Sequence, residues 1–494
     1  MKQVEKNNLR WWVLGTVIIG TFLGRLDGTI VNLALPKIIN SFGISVSGAG
    51  WIATAYILAN AIFVPIWGKL GDTIGRKKVY IIGLSIFILG SVLASLSWNL
   101  SSMIVFRVIQ AIAGSADYPT AMAIIAVTFS KGKERAQALG IWSSSFAAAV
   151  VFGPLLGGPL IDNFGWQSVF LINLPIGILG IVMASRFIKE SVSSVKTKYF
   201  DWFGAITLGV TLSGIVLILD KGLDWGWLSV PAFICYFVIV IFFALFIKIE
   251  QKAKDPIVDL KFFKIPAFVN TLLNNFIVFM GMMGGVFLLP VFAQTFLGYT
   301  ATESGLLFIP MAVAMMVASP LGGALTGKIQ SRYIIFISTL VASIGLFLFT
   351  RIDARSTALD LIIPLTVMAL GLGFGMAQRT NIIASVVDEH EIGIASSILA
   401  LVRNISGAFG IAIFATILSN STENNLLAIS KWSILSVHNS VIVKEFISLV
   451  TLKADVLAYA HVFLISSIIV FIGALSSLFI KVKNERTDIK VQVE

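Results

Sequence analysis

Apolar residues in this chain come in runs of about 20, and each run ends at a cluster of charged, glycine or proline residues. A run of that length crosses a roughly 30 Å hydrocarbon core as an α-helix, which satisfies its own backbone hydrogen bonds internally. The pattern predicts spans at 11–35, 48–68, 78–97, 102–127, 138–161, 167–187 and 202–220. It continues with 229–248, 268–293, 304–327, 333–350, 359–384, 393–419 and 457–480, fourteen in all. The expected fold class is therefore an all-α polytopic membrane protein. Residues 1–190 would form one six-helix bundle, 200–250 two inserted helices, and 265–482 a second six-helix bundle with a long outside loop at 421–456. That loop contains "LLAISKWSIL" and "VIVKEFISLV", apolar enough to predict a partly ordered helical or hairpin element. Residues 483–494 read as a tail.

Composition agrees with the spans. Of 494 residues, 57% are hydrophobic and only 12% are charged, too little charge to cover a soluble surface of this size. The net charge of +11 would fit a nucleic-acid binder, but a membrane protein gathers Lys and Arg in its cytoplasmic loops and gives the same excess. With the N-terminus inside, one set of loops carries Lys69, Arg76, Lys77, Lys78, Lys131, Lys133, Arg135, Lys328 and Arg332. The opposite set holds few cations, so both termini are expected in the cytoplasm. The single cysteine, Cys235, excludes a disulfide framework, and three scattered histidines offer no metal site.

The two halves echo each other. "PIWGKLGDTIGRKK" (65–78) aligns with "PLGGALTGKIQSRY" (320–333), pairing Pro65 with Pro320, Gly68 with Gly323, Leu70 with Leu325 and Lys77 with Arg332. Repeats of this kind build transporters from two bundles around a midplane site. In the first copy Gly68, Gly71 and Gly75 allow close helix approach, Asp72 can cap or pair, and Arg76 and Lys77 can bind helix C-termini. Gly327 replaces the acid in the second copy, so the stronger gating contacts are expected in the first half. A second cluster, "FAAAVVFGPLLGGPL" (146–160), places Gly153, Pro154, Gly157, Gly158 and Pro159 in two turns, where proline bends a helix and glycine lets a neighbour close in.

These segments resemble motifs of the major facilitator superfamily: 68–78 its gating signature, and 146–160 the antiporter motif of its proton-coupled drug exporters. "LDGTIVNLALP" (26–36), "WQSVFLINLPIG" (166–177), "GLDWGWLS" (222–229) and "EIGIASSILALVRNISGAFGIAI" (391–413) are similar to the fourteen-span drug:proton antiporter family. The resemblance implies an exporter working by alternating access, not an enzyme, with protons and a small lipophilic, cationic compound as its partners. No nucleotide-binding loop is present in the sequence, so the proton-motive force and no cofactor is the expected energy source. A plasma-membrane monomer among its lipids is the expected setting. A lipid or glycolipid exporter of the same fold, and a non-transporting sensor or scaffold, remain open.

Within the first span "GRLDG" places Arg25 and Asp27 about 200° apart on a helix, so they cannot pair with each other. Gly20, Gly24 and Gly28 form a ridge suited to a tightly packed neighbour. Asp27 lies sixteen residues from Trp11, about 24 Å along the helix, and Arg107 lies about 9 Å from the other face, so their levels coincide. An Asp27–Arg107 pair is predicted, in competition with protonation of Asp27. "RVIQAIAG" (107–114) also resembles the family's fourth-span motif, whose arginine is associated with proton coupling. A purely structural ion pair is the alternative. Arg25 and Asp117 depart from the family pattern and have no assigned partner. Asp117 is the second candidate for carrying the proton, and Arg25 in a cavity would weaken the lipophilic-cation reading. Asn32, Tyr56, Trp142, Phe146, Asn275, Phe279 and Gln294 are candidate cavity residues. Asp220, Asp224 and Glu303 read as solvated loop acids, and Arg379 and Arg403 as snorkelling or packing residues.

Overall fold

The computed structural model describes residues 2–129, 133–191, 201–253, 256–325, 328–387, 392–432 and 440–481. Asp72, Phe146 and Gly327 fall outside what is described, the first two in their side chains. The described chain is helical throughout. In order it runs α1 (Lys2–Phe42), α2 (Val46–Ile74), α3 (Arg76–Ser95), α4 (Leu100–Gly114), α5 (Asp117–Thr128), α6 (Lys133–Phe164), α7 (Ser168–Leu171), α8 (Asn173–Phe187) and α9 (Trp202–Trp225). Then follow α10 (Val230–Lys252), α11 (Pro266–Phe296), α12 (Ala301–Leu306), α13 (Phe308–Ala324), α14 (Ser331–Leu348), α15 (Ala358–Ser385), α16 (Ile392–Trp432) and α17 (Ser440–Ser477).

Among the described residues twelve helices are long and apolar enough to cross a membrane. The segment expected at 102–127 is split into α4 and α5, each too short to count alone, and 138–161 lies within α6. The split has a local cause. Proline has no N–H and its ring clashes with the carbonyl four residues back. Pro119, Pro175 and Pro310 lie three or four residues beyond the interruptions at 115–116, 172 and 307. The first two breaks leave a polar residue, Asp117 or Asn173, as the opening residue of the resumed helix. Elsewhere caps set the ends: Asn99 and Ser102 form a reciprocal capping box at α4, Thr357 and Asp360 do so at α15, and Ser229 caps α10.

Residues 421–456, expected to form a long outside loop with a partly ordered helical or hairpin element, are helical where they are described. They continue α16 to Trp432 and begin α17 at Ser440, and Asn425 Nδ2 donates to the Ala454 carbonyl between the two.

Residues 1–44, 51–258 and 300–306 form one compact unit, and 45–50, 259–299 and 307–494 a second. The inserted helices α9 and α10 pack on each other and belong to the first. Glycines bring backbones together within each unit. A Cβ at Gly90 of α3 would lie 2.8 Å from the Gln110 Cα of α4, and one at Gly373 of α15 would lie 2.7 Å from the Ala318 Cβ of α13. Such approach compensates for the lack of a hydrophobic driving force between helices in lipid. The opposite faces, with Leu89, Trp98 and Phe237, are exposed and apolar as a lipid-facing surface requires.

Candidate functional site

Four helices of the first unit place polar side chains around Asp27. Arg107 and Gln110 stand three residues apart on α4 and so share a face. Ser91 comes from α3, held against Gln110 by the close approach at Gly90, and Asn173 opens α8. Arg107 Nη1 donates to Asp27 Oδ2 at 2.6 Å and to Gln110 Oε1 at 2.6 Å. Asp27 Oδ1 accepts from Gln110 Nε2 at 2.9 Å and Asn173 Nδ2 at 3.0 Å, and the Ser91 hydroxyl accepts from both amides. The Arg107 guanidinium lies 4.0 Å from the centre of the Tyr56 ring, a cation–π contact. Asp27 is fully buried and Arg107 is 2% exposed. The network gives each carboxylate oxygen a donor, which an ionised acid requires when water is excluded.

The second intramembrane acid sits differently. Asp117 accepts a hydrogen bond from the Thr21 side chain, whose Oγ1 also accepts from Trp142 Nε1 at 2.9 Å. Its Oδ1 is buried with no hydrogen-bond partner. A cavity of about 20 Å³, room for one water, lies against Asp117, Gly20, Tyr80 and Gly83. Gly20 is needed here, because a Cβ would lie 2.9 Å from Oδ1. Arg25 is exposed, and its charge acts on Asp117, so these two unusual residues are neighbours. The proposed glycine ridge is corrected: added Cβ atoms at Gly24 and Gly28 meet nothing within 4 Å, and only Gly20 is tightly packed.

The turn between α2 and α3 is fastened by a residue that the sequence reading missed. Gly75 caps α3 with φ of 111°, a left-handed conformation that favours glycine, and a Cβ there would run into the Glu190 carboxylate. Glu190 accepts from the Lys77 and Lys78 amides at 3.1 and 3.2 Å, putting an anion on a helix N-terminus. Lys77 Nζ reaches the Ser185 carbonyl at 2.6 Å and Arg76 Nη1 the Ala123 carbonyl at 3.4 Å. Gly71 lies beside Thr120, and Gly68 beside Pro119. A charged residue ending one helix near the start of another leaves no periodic trace in a sequence, whereas Gln110, three residues after Arg107, was readable as sharing its face.

The glycines of α6 form a seam. Cβ atoms at Gly153 and Gly157 would meet Thr29 and Ile30 of α1, and one at Gly158 would strike the Thr302 backbone of α12. Pro154 packs on Gly305, and Pro154 and Pro159 both lie inside the helix. Asp162 caps α12, accepting from the Ala301 and Thr302 amides at 3.1 and 3.0 Å.

Of the other cavity candidates, Asn32 is half-buried, while Tyr56 and Trp142 join the two polar clusters above. In the second unit Asn275 is fully buried, Gln294 is half-buried nineteen residues further along α11, and Phe279 lies under the Arg403 guanidinium, 4.9 Å from its ring centre. One expectation is corrected, and of the two roles expected for Arg379, snorkelling or packing, packing holds. Asp220 is not a solvated loop acid: it is 4% exposed and accepts from Trp51 Nε1 at 2.7 Å, because α9 packs its end against α2. Arg379 does not snorkel: it is 1% exposed and turns into the second bundle, donating from Nε to Asn274 Oδ1 and from Nη2 to Thr339 Oγ1, both at 2.7 Å. An apolar groove of about 960 Å³ runs between α2 and the inserted helices, lined by Phe63, Trp202, Gly209, Trp225 and Cys235 among others.

Comparison with known proteins agrees with this architecture. The Major Facilitator Superfamily model matches residues 17–411. The chain is 34% identical to the multidrug transporter protein MdtP of Bacillus subtilis over 428 residues, 86% of this chain and 78% of that protein. It is 31% identical to the multidrug resistance protein Stp of Mycobacterium tuberculosis over 81% of this chain and 74% of that one. It is also 31% identical to the riboflavin transporter RibZ of Clostridioides difficile over 84% of this chain and 90% of that one. A bacterial homolog of the human lysosomal transporter Spinster, solved inward-facing and occupied, superposes with a TM-score of 0.70 at 16% identity, covering 95% of this chain and 96% of that chain, a likeness of fold. Twelve apolar membrane-length helices, polar groups buried between them and a family match over most of its length identify the chain as a membrane transporter, not an enzyme, of the Major Facilitator Superfamily.

Proposed function

We propose that this protein is a proton-coupled exporter of lipophilic, cationic drugs or other toxic compounds, working by alternating access. Its setting is the plasma membrane, with fourteen spans (α4 with α5 and α6 adding two to the twelve) and both termini in the cytoplasm. The names of its relatives support drug efflux, and the loop charge supports the orientation.

The observation that carries the proton coupling is the buried Asp27–Arg107–Gln110–Asn173 network. Adding a proton to Asp27 cancels its charge and its claim on Arg107, which is then held only by the Tyr56 ring and Gln110. Breaking a buried ion pair costs about 3–5 kcal/mol. A proton moving down 100 mV and one pH unit releases about 3.7 kcal/mol. The two quantities match, so one proton suffices to switch the network. Asp117, with its unpartnered oxygen beside a water-sized cavity and its cationic neighbour Arg25, is a second acceptor in the first unit.

The test is ethidium accumulation in inside-out proteoliposomes under an imposed proton gradient. Wild-type protein concentrates the dye and loses this on addition of an uncoupler, while Asp27→Asn inserts normally and does not concentrate it. Accumulation by Asp27→Asn overturns the coupling role. A lipid exporter is the second reading, favoured by the 960 Å³ apolar groove, large enough for acyl chains. Gly209→Trp would fill that groove, so unchanged ethidium export with loss of labelled-lipid transfer would favour lipid as the cargo.

A further inference from the structure

The two intramembrane acids of the first unit are held by different chemistry. Arg107, Gln110 and Asn173 all reach the Asp27 oxygens through an N–H, so a proton added there needs one donor to turn away. Asp117 meets hydroxyl oxygens instead. The Thr21 hydroxyl holds one of its carboxyl oxygens, and the other, Oδ1, is buried with no hydrogen-bond partner. Asp117 lines the cavity of about 20 Å³ together with Gly20 of α1, Tyr80 and Gly83 of α3 and Gly114 at the end of α4. A Cβ at Gly20 would lie against the Tyr80 hydroxyl and 2.9 Å from Asp117 Oδ1, so both oxygens face the space that the glycine leaves. The Tyr80 hydroxyl gives its proton to the Thr16 carbonyl at 2.8 Å, which leaves the oxygen free to accept. One buried water needs about 10–15 Å³ and at least two polar partners, and both are present. A divalent metal ion fits poorly, since Ca²⁺ and Mg²⁺ take about six oxygens or more.

We infer that this cavity is a binding site for one water molecule, bridging Asp117 Oδ1 and the Tyr80 oxygen, and that the three groups together hold an exchangeable proton. With Asp117 ionised, the water donates one hydrogen to Oδ1 and the other to Tyr80. With Asp117 protonated on Oδ1, the acid donates to the water, which still donates to Tyr80. The two states differ by one proton, exchanged with solvent water, and neither needs a side chain to move. Tyr80 acts on Asp117 through the water and is a positioning residue. Two further ionisable groups act on Asp117 electrostatically, Arg25 of α1 and Tyr56 of α2, and the Trp142 indole of α6 reaches it through Thr21. The inference rests on the reading of Asp117 as a second proton acceptor and gives that role its chemistry. Protonation rearranges the network at Asp27 and leaves the one at Asp117 in place.

Infrared difference spectra between pairs of pH values, recorded on the full chain reconstituted in lipid, test the site. A protonated carboxyl group gives a C=O stretch, and an internal water gives an O–H stretch that moves when H₂¹⁸O replaces ordinary water. The wild-type protein is expected to show a carboxyl band and an isotope-sensitive water band that titrate together. Asp117→Asn removes both. Tyr80→Phe keeps the carboxyl band, moves the water band and shifts the shared midpoint up by about one pH unit, because fewer hydrogen bonds support the charged form. No water band following the carboxyl band, or a carboxyl band that survives Asp117→Asn, overturns the site. An unmoved water band or midpoint in Tyr80→Phe overturns it as well. Should Tyr80→Phe fail to fold, the wild-type and Asp117→Asn spectra decide alone. Asp27→Asn is expected to keep both bands, and their loss there would assign the signal to Asp27 and overturn the site. The spectra need neither substrate nor proton gradient, so failure of driven export at Asp27 leaves this test standing.

Discussion

Among the described residues each unit buries one arginine almost completely, Arg107 at 2% exposure and Arg379 at 1%, and surrounds it differently. Arg107 meets a carboxylate, to which Gln110 and Asn173 also donate, while its Nε is buried without a hydrogen-bond partner. Arg379 meets an amide and a hydroxyl and keeps one nitrogen unpartnered. The desolvation cost of a guanidinium is similar in both places, so the difference lies in what offsets it. A closed network holds its own counter-charge and can be opened by a proton. The comparison teaches that two bundles can bury the same cation with different counter-groups, a carboxylate in the first and neutral acceptors in the second.

The largest effect that would break this contrast concerns the arginines themselves. Arg107→Ala strands a buried Asp27 and is expected to cost about 3–5 kcal/mol, seen as a sharp fall in thermal midpoint and folded yield. Arg379→Gln removes a cation with no buried acid to strand and is expected to cost less than about 2 kcal/mol. Equal losses would remove the asymmetry. In the double variant Asp27→Asn with Arg107→Gln most of the stability should return, because neither charge is left alone.

Next in size are the seam and the turn, both in the first unit. Gly158→Leu drives a side chain into the Thr302 backbone and should cost about 1–3 kcal/mol, whereas Gly24→Ala, with open space around it, should be nearly silent. Gly75→Ala meets both a left-handed backbone and the Glu190 carboxylate and should cost about 1–3 kcal/mol. Its counterpart at the start of α14 is Gln330, with φ of −58°, so Gln330→Ala should be mild. Differential scanning fluorimetry reads all of these, and comparable losses at 75 and 330 would mean that the two gating turns are equivalent. The smallest effect is expected from Glu190→Gln, about 0.5–1 kcal/mol for a weakened cap, with slower transport as the more sensitive readout.

Much of this was legible in the sequence for physical reasons. Helices of membrane length need only apolar runs, and no packing detail alters that. Asp27 and Arg107 stood out because a charge in such a run has few places to go and helical rise fixes its depth. What one helix alone does not encode is the direction in which its side chains face. Asp220 and Arg379 lie near helix ends where long polar side chains usually reach water, and only neighbouring helices decide that these two turn inward. Asn173 stood within a predicted span with nothing in the sequence to pair it with Asp27, and it reaches that residue as the opening residue of α8. Gly24 and Gly28 share a spacing with Gly20 but not its neighbours.

The central claim, that the buried Asp27 network carries the transported proton, is tested most directly by proton release on substrate binding. Purified protein in weakly buffered solution is mixed with saturating ethidium while a pH-sensitive dye records the protons freed. The account predicts close to one proton released per wild-type molecule at a pH well below the midpoint of the binding profile, falling to about half at the midpoint, and none from Asp27→Asn. Undiminished release from Asp27→Asn would contradict it, and its disappearance in Asp117→Asn instead would place the proton on the acid beside Tyr80.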